Sequence, residues 1–451
     1  MDTRTQLARL GLFDAKVPRY TSYPTAPQFA GGVGPDTFVR WIEALPENGE
    51  ISLYLHIPFC RRLCWFCACR TQGTSTLSPV EAYVETLKAE LALLRRHLPK
   101  GVKLSRLHWG GGTPTLLSPD MMKGLIEAIR EVADFAEGAE FSVEIDPNEV
   151  DGARLDVLAA NGMNRASIGV QDFDPQIQET IGRPQSFDIT RQAVDLIRER
   201  GVSSLNADIL FGLPDQSLAR ITETVQKLLS FNPDRVALYG YAHVPWMAKR
   251  QQMIPSESLP TPAERLALFE TAQRLFLWDG YEDVGIDHFA QPSDGLAIAR
   301  KVGKLRRNFQ GYTDDTATAL IGIGASSISR FPQGFAQNAS GTSAHTNAIR
   351  SGSFSTARGH VFQGEDLLRS RLIEMIMCDF RIDIAEILQQ FQISRPALMA
   401  MLRDASGQFE DLLHLSDEAL VVPVHARPLT RMVARAFDAY DLSKAGHSSA
   451  I

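Results

Sequence analysis

From about residue 50 the chain repeats one pattern: a short apolar run, then a longer stretch with apolar residues every three or four positions. The short runs predict strands over 51–57, 104–109, 141–145, 166–170, 205–211, 236–241 and 283–286. Between them lie helical patterns such as 80–98 and 262–277, and Ser118-Pro119 reads as an N-cap followed by proline at the first helical position. Strand-helix-strand repetition at roughly thirty- to forty-residue spacing implies parallel strands joined by crossover connections. Six or seven such units favour a full or partial (β/α) barrel of the TIM type over a small open sheet. Chemistry on such a frame belongs at the carboxyl ends of the strands, and each unusual motif below starts where a predicted strand stops.

Three regions follow from the pattern: an N-terminal extension over 1–48, the α/β barrel over 49–355 and a mainly helical C-terminal domain over 356–451. The extension contains Pro18-Arg19-Tyr20-Thr21-Ser22-Tyr23-Pro24-Thr25, too rich in proline and aromatics for a loose tail. The C-terminal region predicts helices over 366–378, 384–391, 395–404 and 429–440 and a short strand over 419–424, with 444–451 frayed.

Composition narrows the function class. With 451 residues, 44% hydrophobic and 22% charged, the chain suits one large α/β domain with appendages. A formal net charge of −7 argues against a general nucleic-acid binder. No run approaches the roughly 20 apolar residues of a membrane span, and MDTRTQLARLGLF lacks the apolar core of a signal peptide. A cytoplasmic monomer is the expectation. Four of the five cysteines fall between Cys60 and Cys69, which points to reduced thiols around a metal rather than a disulfide framework.

That loop reads YLHIPFCRRLCWFCAC and follows the first predicted strand directly. Thiolates select iron–sulfur clusters or zinc. Structural zinc draws ligand pairs from separated knuckles, and no second pair is visible. Cys60, Cys64 and Cys67 can instead wrap one face of a [4Fe–4S] cluster and leave one iron open. S-adenosylmethionine, with its amine and carboxylate, can chelate such an iron. Cys69 is awkward as a fourth ligand and is either a buried thiol or a functional one.

The second predicted strand runs into Gly110-Gly111-Gly112, which suits close backbone approach and free N–H groups for a cofactor's carboxylate or amine. It fits neither the dinucleotide nor the phosphate-loop pattern. Glu144 stands where a carboxylate could accept hydrogen bonds from a ribose or an ammonium, whereas Asp146 before Pro147 suits an N-cap. Gln171, Asp208 and Ala242 also stand at strand ends. His108, His243 and His288 are expected to be packed and hydrogen-bonded rather than metal-binding.

Together YLHIPFC, HWGGGTPT, VEIDP, IGVQDF, IGRPQ, ADILFGLP and RNFQGYT, with PRYTSYPT near the start, resemble the radical S-adenosylmethionine enzymes. More narrowly, they are similar to the oxygen-independent coproporphyrinogen III oxidases (dehydrogenases) of haem biosynthesis, over nearly the whole chain. The resemblance implies conversion of two propionates of coproporphyrinogen III to vinyl groups by a 5′-deoxyadenosyl radical, giving protoporphyrinogen IX. It further implies one [4Fe–4S] cluster, two S-adenosylmethionine molecules and an external one-electron donor such as a flavodoxin. Position by position, Cys60, Cys64 and Cys67 match the cluster ligands. Tyr54, Gly111, Glu144 and Ile328 match positions that hold the first S-adenosylmethionine. Phe66, Gly112, Thr113, Gln171, Arg183, Asp208 and Ala242 match the second site. His56, Cys69 and Gln310 match positions tied to activity.

Trp65 stands where the family usually has tyrosine, and Ala68 where it has glycine. Four propionates also call for cations, for which Arg19, Arg61, Arg62, Arg70 and Arg307 are the candidates. The rival reading is a haem-binding chaperone of the same superfamily. Such relatives generally lack the fourth cysteine and the PRYTSYPT segment. A radical enzyme on another substrate and a zinc-stabilised module rank lower.

Overall fold

A computed structural model describes residues 3–441 and 449–451. Seven parallel strands form its centre: β1 (Glu50–Ile57), β2 (Lys103–Gly111), β3 (Phe135–Ile145), β4 (Arg165–Gln171), β5 (Ser204–Phe211), β6 (Arg235–Gly240) and β7 (Ala319–Ile323). They lie in the order β7-β1-β2-β3-β4-β5-β6, so each of the first five is followed in space by its successor in sequence and β7 returns beside β1. The connecting helices are α1 (Ser78–His97), α2 (Pro119–Val132), α3 (Gly152–Ala160), α4 (Phe187–Glu199) and α5 (Leu218–Leu229), with α6 (Pro262–Trp278) after β6. Ser118 caps α2 by accepting from Met121 N–H at 3.3 Å, with Pro119 at the first helical position. Strand residues such as Leu53, Leu55, Val143, Ile168 and Ile209 are almost fully buried, as expected for a parallel sheet covered by helices.

The seventh parallel strand is not the one the sequence predicted. Residues 282–284 form an antiparallel edge strand, because His288–Ala290 comes between them and β6 and pairs antiparallel with both. The true seventh strand, β7, was passed over in the glycine-interrupted run ALIGIGA. Beyond β7, Ile328–Phe331, Gly334–Asn338 and Thr356–Val361 extend the sheet antiparallel to twelve strands in all. Among the described residues no ladder joins its two edges, so the frame is a partial barrel.

The strand Thr356–Val361 carries the sheet past residue 355, and the helical unit begins at Asp366–Asp379. That unit adds helices Ile384–Gln390 and Arg395–Gly407 and a small three-stranded sheet. The last predicted helix, 429–440, is shorter: a 3-10 turn holding Pro428 runs over Val424–Leu429, and the helix spans only Thr430–Arg435. The N-terminal extension divides its packing. Phe38, Trp41 and Ile42 join the barrel core, whereas Leu7, Leu12, Val17, Tyr20 and Tyr23 share a core with Leu372, Ile376 and Phe437. Tyr20 donates to Asp438 at 2.9 Å and Tyr23 accepts from Ala439 N–H at 3.0 Å, which ties PRYTSYPT to the C-terminal unit. The fraying expected at the end fails for its last residues: Ser449 bridges to Lys16 and Ala450 is buried, while 444–448 lie outside the described residues.

Candidate active site

At the carboxyl ends of the parallel strands opens a cavity of about 400 Å³. The loop after β1 forms one wall and is braced at both ends. Phe59–Cys60 pairs with Gln72–Gly73, and Trp65 N–H donates to the Ile181 carbonyl at 2.9 Å. Cys60, Cys64, Cys67 and Cys69 all line the cavity. Cys69 has open surface, but this faces the cavity and protein otherwise encloses the thiol.

Burial pushes the Cys60 thiol up to about 11, and raises Cys64 against the pull of Arg183. Hydrogen bonding from Cys69 draws Cys67 down, and Cys69 rises in turn. Metal coordination at this loop therefore has to displace thiol protons.

The three glycines serve a different purpose from the one expected. Gly111 N–H donates to Glu144 Oε2 at 3.0 Å, Gly112 N–H to the Ile57 carbonyl at 2.8 Å and Thr113 N–H to the Phe59 carbonyl at 2.8 Å. These donors hold the site together and are not free for a cofactor. Glycine is required because a Cβ at Gly110 would meet the Glu144 carboxylate at 2.6 Å, at Gly111 the His56 ring at 2.7 Å, and at Gly112 the Phe59 carbonyl at 2.5 Å. Gly111 also sits at φ +110°, which disfavours any side chain.

Burial alone would raise the Glu144 carboxyl, but His108, the Gly111 N–H and nearby His56 hold it below its ordinary value. His108 lies 3.3 Å from Glu144 and its ring stacks on Tyr54 at 5.6 Å. Tyr54 reaches His56 Nδ1 at 3.0 Å, and His56 Nε2 reaches the Arg70 carbonyl at 3.2 Å. Tyr54 and His56 thus brace the cysteine loop from behind and lie outside the cavity wall. Asp208, deep in the cavity, is pushed up to about 6 by burial, although Asn206 donates to it at 2.9 Å.

Thirteen of the seventeen residues singled out in the sequence line this one cavity: the four cysteines, Phe66, Gly111, Gly112, Thr113, Glu144, Gln171, Arg183, Asp208 and Gln310. Gln171 holds a left-handed backbone (φ +68°) at the end of β4, and Gln310 sits at a hairpin turn with its N–H on Asn308 Oδ1. Ala242 and Ile328 lie outside with Tyr54 and His56. The Ala242 carbonyl accepts from Gln251, which also donates to the Phe66 carbonyl at 2.7 Å, so Ala242 is tied to the cysteine loop. Ile328 opens an antiparallel strand whose backbone crowds Gly322, the residue paired with Tyr54. Asp146 caps as expected, accepting from Asn148 N–H, and also pairs with Arg183 at 3.3 Å. The three histidines are hydrogen-bonded: His108 to Glu144, His243 to Tyr241 and Ser256, and His288 to Asp287.

Residues 54–228 match the model of the radical SAM superfamily. The chain is 62% identical to an oxygen-independent coproporphyrinogen III oxidase of Paracoccus denitrificans, covering 100% of each. It is 35% identical to that of Escherichia coli K12, covering 97% of this chain and 96% of the relative. The solved coproporphyrinogen III oxidase of Escherichia coli, a radical SAM enzyme, superimposes with a TM-score of 0.89 at 33% identity, covering 95% of this chain and 100% of that one. The chain belongs to the oxygen-independent coproporphyrinogen III oxidases.

Membership of this radical SAM family implies a [4Fe–4S] cluster and S-adenosylmethionine, and the site fits them. The buried Arg183 guanidinium places Nη1 3.4 Å from Cys64 Sγ, while its Nε has no partner in the chain and is available to an anionic group beside the thiols. No three His, Cys, Asp or Glu side chains among the described residues converge on a single ion, as zinc would require. A cuboidal cluster takes each thiolate on a different iron. Arg250 is a cavity-lining residue absent from the sequence expectations: it donates to the Cys69 carbonyl at 3.3 Å and to Thr71 Oγ1 at 3.0 Å. It lies in a short 3-10 helix, Lys249–Met253, after β6, with no motif to flag it. Of the arginine candidates, Arg61 turns away to the Ser75 carbonyl, Arg62 lines the cavity, and the Arg70 carbonyl receives His56. No helix among the described residues is long and apolar enough to cross a membrane.

Proposed function

We propose that this chain oxidatively decarboxylates two propionates of coproporphyrinogen III to vinyl groups, giving protoporphyrinogen IX without oxygen. The observation that carries this reading is one cavity at the strand ends that joins Cys60, Cys64, Cys67, Arg183, Glu144 and Asp208. When bound, the cluster and S-adenosylmethionine supply a one-electron cleavage that yields methionine and a 5′-deoxyadenosyl radical. The propionate β-carbon would give a hydrogen atom to that radical, forming 5′-deoxyadenosine, and loss of carbon dioxide with transfer of one electron to an external one-electron acceptor would leave the vinyl group.

The chain's own residues position the partners. Cys60, Cys64 and Cys67 ligate the cluster, and Arg183 keeps positive charge beside Cys64. Glu144, held ionised by His108 and Gly111, accepts from the first S-adenosylmethionine, with Gly111 in the wall and Tyr54 and Ile328 supporting that wall from behind. A second S-adenosylmethionine is assigned to Phe66, Gly112, Thr113, Gln171, Arg183, Asp208 and Ala242. Burial lowers the pKa of His56 and keeps it neutral, so that it fixes Tyr54 and the Arg70 backbone rather than carrying charge. Cys69 and Gln310 face the reacting space. An external donor such as a flavodoxin supplies electrons, and the chain acts as a cytoplasmic monomer.

The test is anaerobic reconstitution with iron and sulfide, reduction, and addition of S-adenosylmethionine and coproporphyrinogen III. Formation of both 5′-deoxyadenosine and protoporphyrinogen IX supports the reading. 5′-Deoxyadenosine without decarboxylation moves the search to another substrate. Haem binding with neither product, from a preparation holding a full reduced cluster, puts the chaperone in its place.

A further inference from the structure

A second cavity, of about 630 Å³, lies between the barrel and the C-terminal unit. Five arginines line it: Arg19, Arg265, Arg307, Arg427 and Arg431. Its remaining walls are largely apolar, with Phe211, Leu266, Phe269, Ile286 and Phe380 among them. Three pairs of adjacent residues form the partition between this space and the catalytic cavity. Tyr239, His288 and Asn308 face the catalytic side, and Gly240, Asp287 and Arg307 face the arginine side.

The arginines of the two cavities differ in what opposes them. On the catalytic side four guanidinium groups meet carboxylates: Arg106 meets Glu140 at 3.0 Å, Arg165 meets Glu140 at 3.1 Å, Arg183 meets Asp146 at 3.3 Å and Arg235 meets Asp294 at 2.7 Å, while Arg250 donates to the Cys69 carbonyl. On the other side Arg19 donates to the Gly240 carbonyl at 2.7 Å, and Arg265 donates to main-chain oxygens of Gly212, Tyr241 and Ile451. Arg307 stacks on Tyr312 at 4.5 Å and comes no nearer to Asp287 than 3.9 Å. Its Nε and Nη1 are buried without a hydrogen-bond partner, whereas Arg427 pairs through Nη1 with Asp283 at 3.2 Å and leaves only its Nε unpartnered.

Burying guanidinium N–H groups with nothing to accept them is costly, and charge-assisted bonds to carboxylates are the strong way to satisfy them. Burial together with Arg19 pushes Arg265 down to about 10, and burial with Arg19 and Arg307 pushes Arg431 down to about 9. Asp283, Asp287 and Glu270 share this lining, yet two nitrogens of the buried Arg307 guanidinium still have no acceptor.

We propose that this arginine-lined cavity is the anchoring site for the carboxylates of a flat, apolar polycarboxylate, with Arg307 and Arg19 as its receiving cations. On the reading of the function given above, these are the non-reacting propionates of the tetrapyrrole. Arg307 and Arg19 stand at the partition, so they hold one side of the macrocycle while a propionate on the other side reaches the catalytic cavity. Both are specificity-determining residues rather than catalytic ones.

Coproporphyrin III, the stable oxidised form with all four propionates, is the probe, titrated by fluorescence into anaerobically reconstituted protein. Arg307→Gln and Arg19→Gln are each expected to weaken its binding at least tenfold. The tetramethyl ester should bind weakly and equally to all three proteins. Cluster absorbance reports that each variant is folded. Should Arg307→Gln fail to load its cluster, Arg19→Gln decides, because it loses one main-chain hydrogen bond only. Variants that load the cluster and bind coproporphyrin III within twofold of the parent overturn the site, as does a parent that does not bind it. Turnover of coproporphyrinogen III with arginine-independent binding rejects this site and keeps the function. Arginine-dependent binding without any vinyl product keeps the site and rejects the function.

Discussion

The catalytic cavity and the arginine cavity are neighbours built on opposite terms. The first sits inside the parallel sheet, where Gly111, Glu144 and His108 close a hydrogen-bonded frame around the cysteine loop. Asp172, fully buried behind it, accepts from Gln216 and Thr224 at 2.8 Å. The second lies in a seam between barrel and C-terminal unit, where Arg307 keeps two nitrogens without partners. A frame that satisfies its own polar groups fixes geometry in advance. A seam that leaves cations unsatisfied stores its affinity for whatever enters.

The largest expected effect falls on the first cavity alone. Cys64→Ala removes a cluster ligand, so reconstituted protein should hold little iron and form no detectable 5′-deoxyadenosine, while coproporphyrin III binding stays near the parent value. Loss of both would show that the two cavities are one cooperative site, and the contrast would break.

Asp208→Asn sharpens the contrast through pH. Burial raises the folded-state pKa of Asp208 from 3.8 to about 6, so its contribution to stability is fully present below about pH 4 and is lost as pH rises through 6. The asparagine should stabilise the cluster-free chain at pH 7 by about 3 kcal/mol at most and change little at pH 4. Thermal unfolding at both values checks it, and equal shifts at both would remove Asp208 as the cause.

Gly112→Ala places a methyl group 2.5 Å from the Phe59 carbonyl and 2.9 Å from that of Ile57. We expect a stability loss of about 1–3 kcal/mol with poorer cluster loading, read by denaturant unfolding and iron content. Normal loading would mean that the loop shifts freely and is not preorganised. The smallest effect belongs to Ser118→Ala on the outer rim. Loss of its cap on α2 should cost about 1 kcal/mol and leave both cavities unchanged, which makes it the control for the others.

Legibility in the sequence divides along the same line. The three cysteines, the glycine run and Glu144 were found because each motif is contiguous and starts where a strand ends. The role of the glycines was misread: nothing local tells that their N–H groups point to Ile57, Phe59 and Glu144 instead of a ligand. Strand β7 escapes sequence reasoning because GIG interrupts its apolar pattern, and 283–286 reads as a barrel strand because apolar alternation does not state its pairing direction. Arg250 gives no signal, since a single arginine in a short 3-10 turn resembles any surface arginine.

The sequence by itself determined the run of parallel strands, the three-cysteine loop and the family, because period, spacing and motif are properties of neighbours along the chain. Only the tertiary structure decided which buried guanidinium nitrogens are left without an acceptor. Arg307 keeps two such nitrogens in the seam, and Arg106, Arg165 and Arg235, which meet carboxylates, look no different in the sequence. Charge compensation depends on distances of a few ångströms through space, and those exist only once the N-terminal segment, the barrel and the C-terminal helices have packed together.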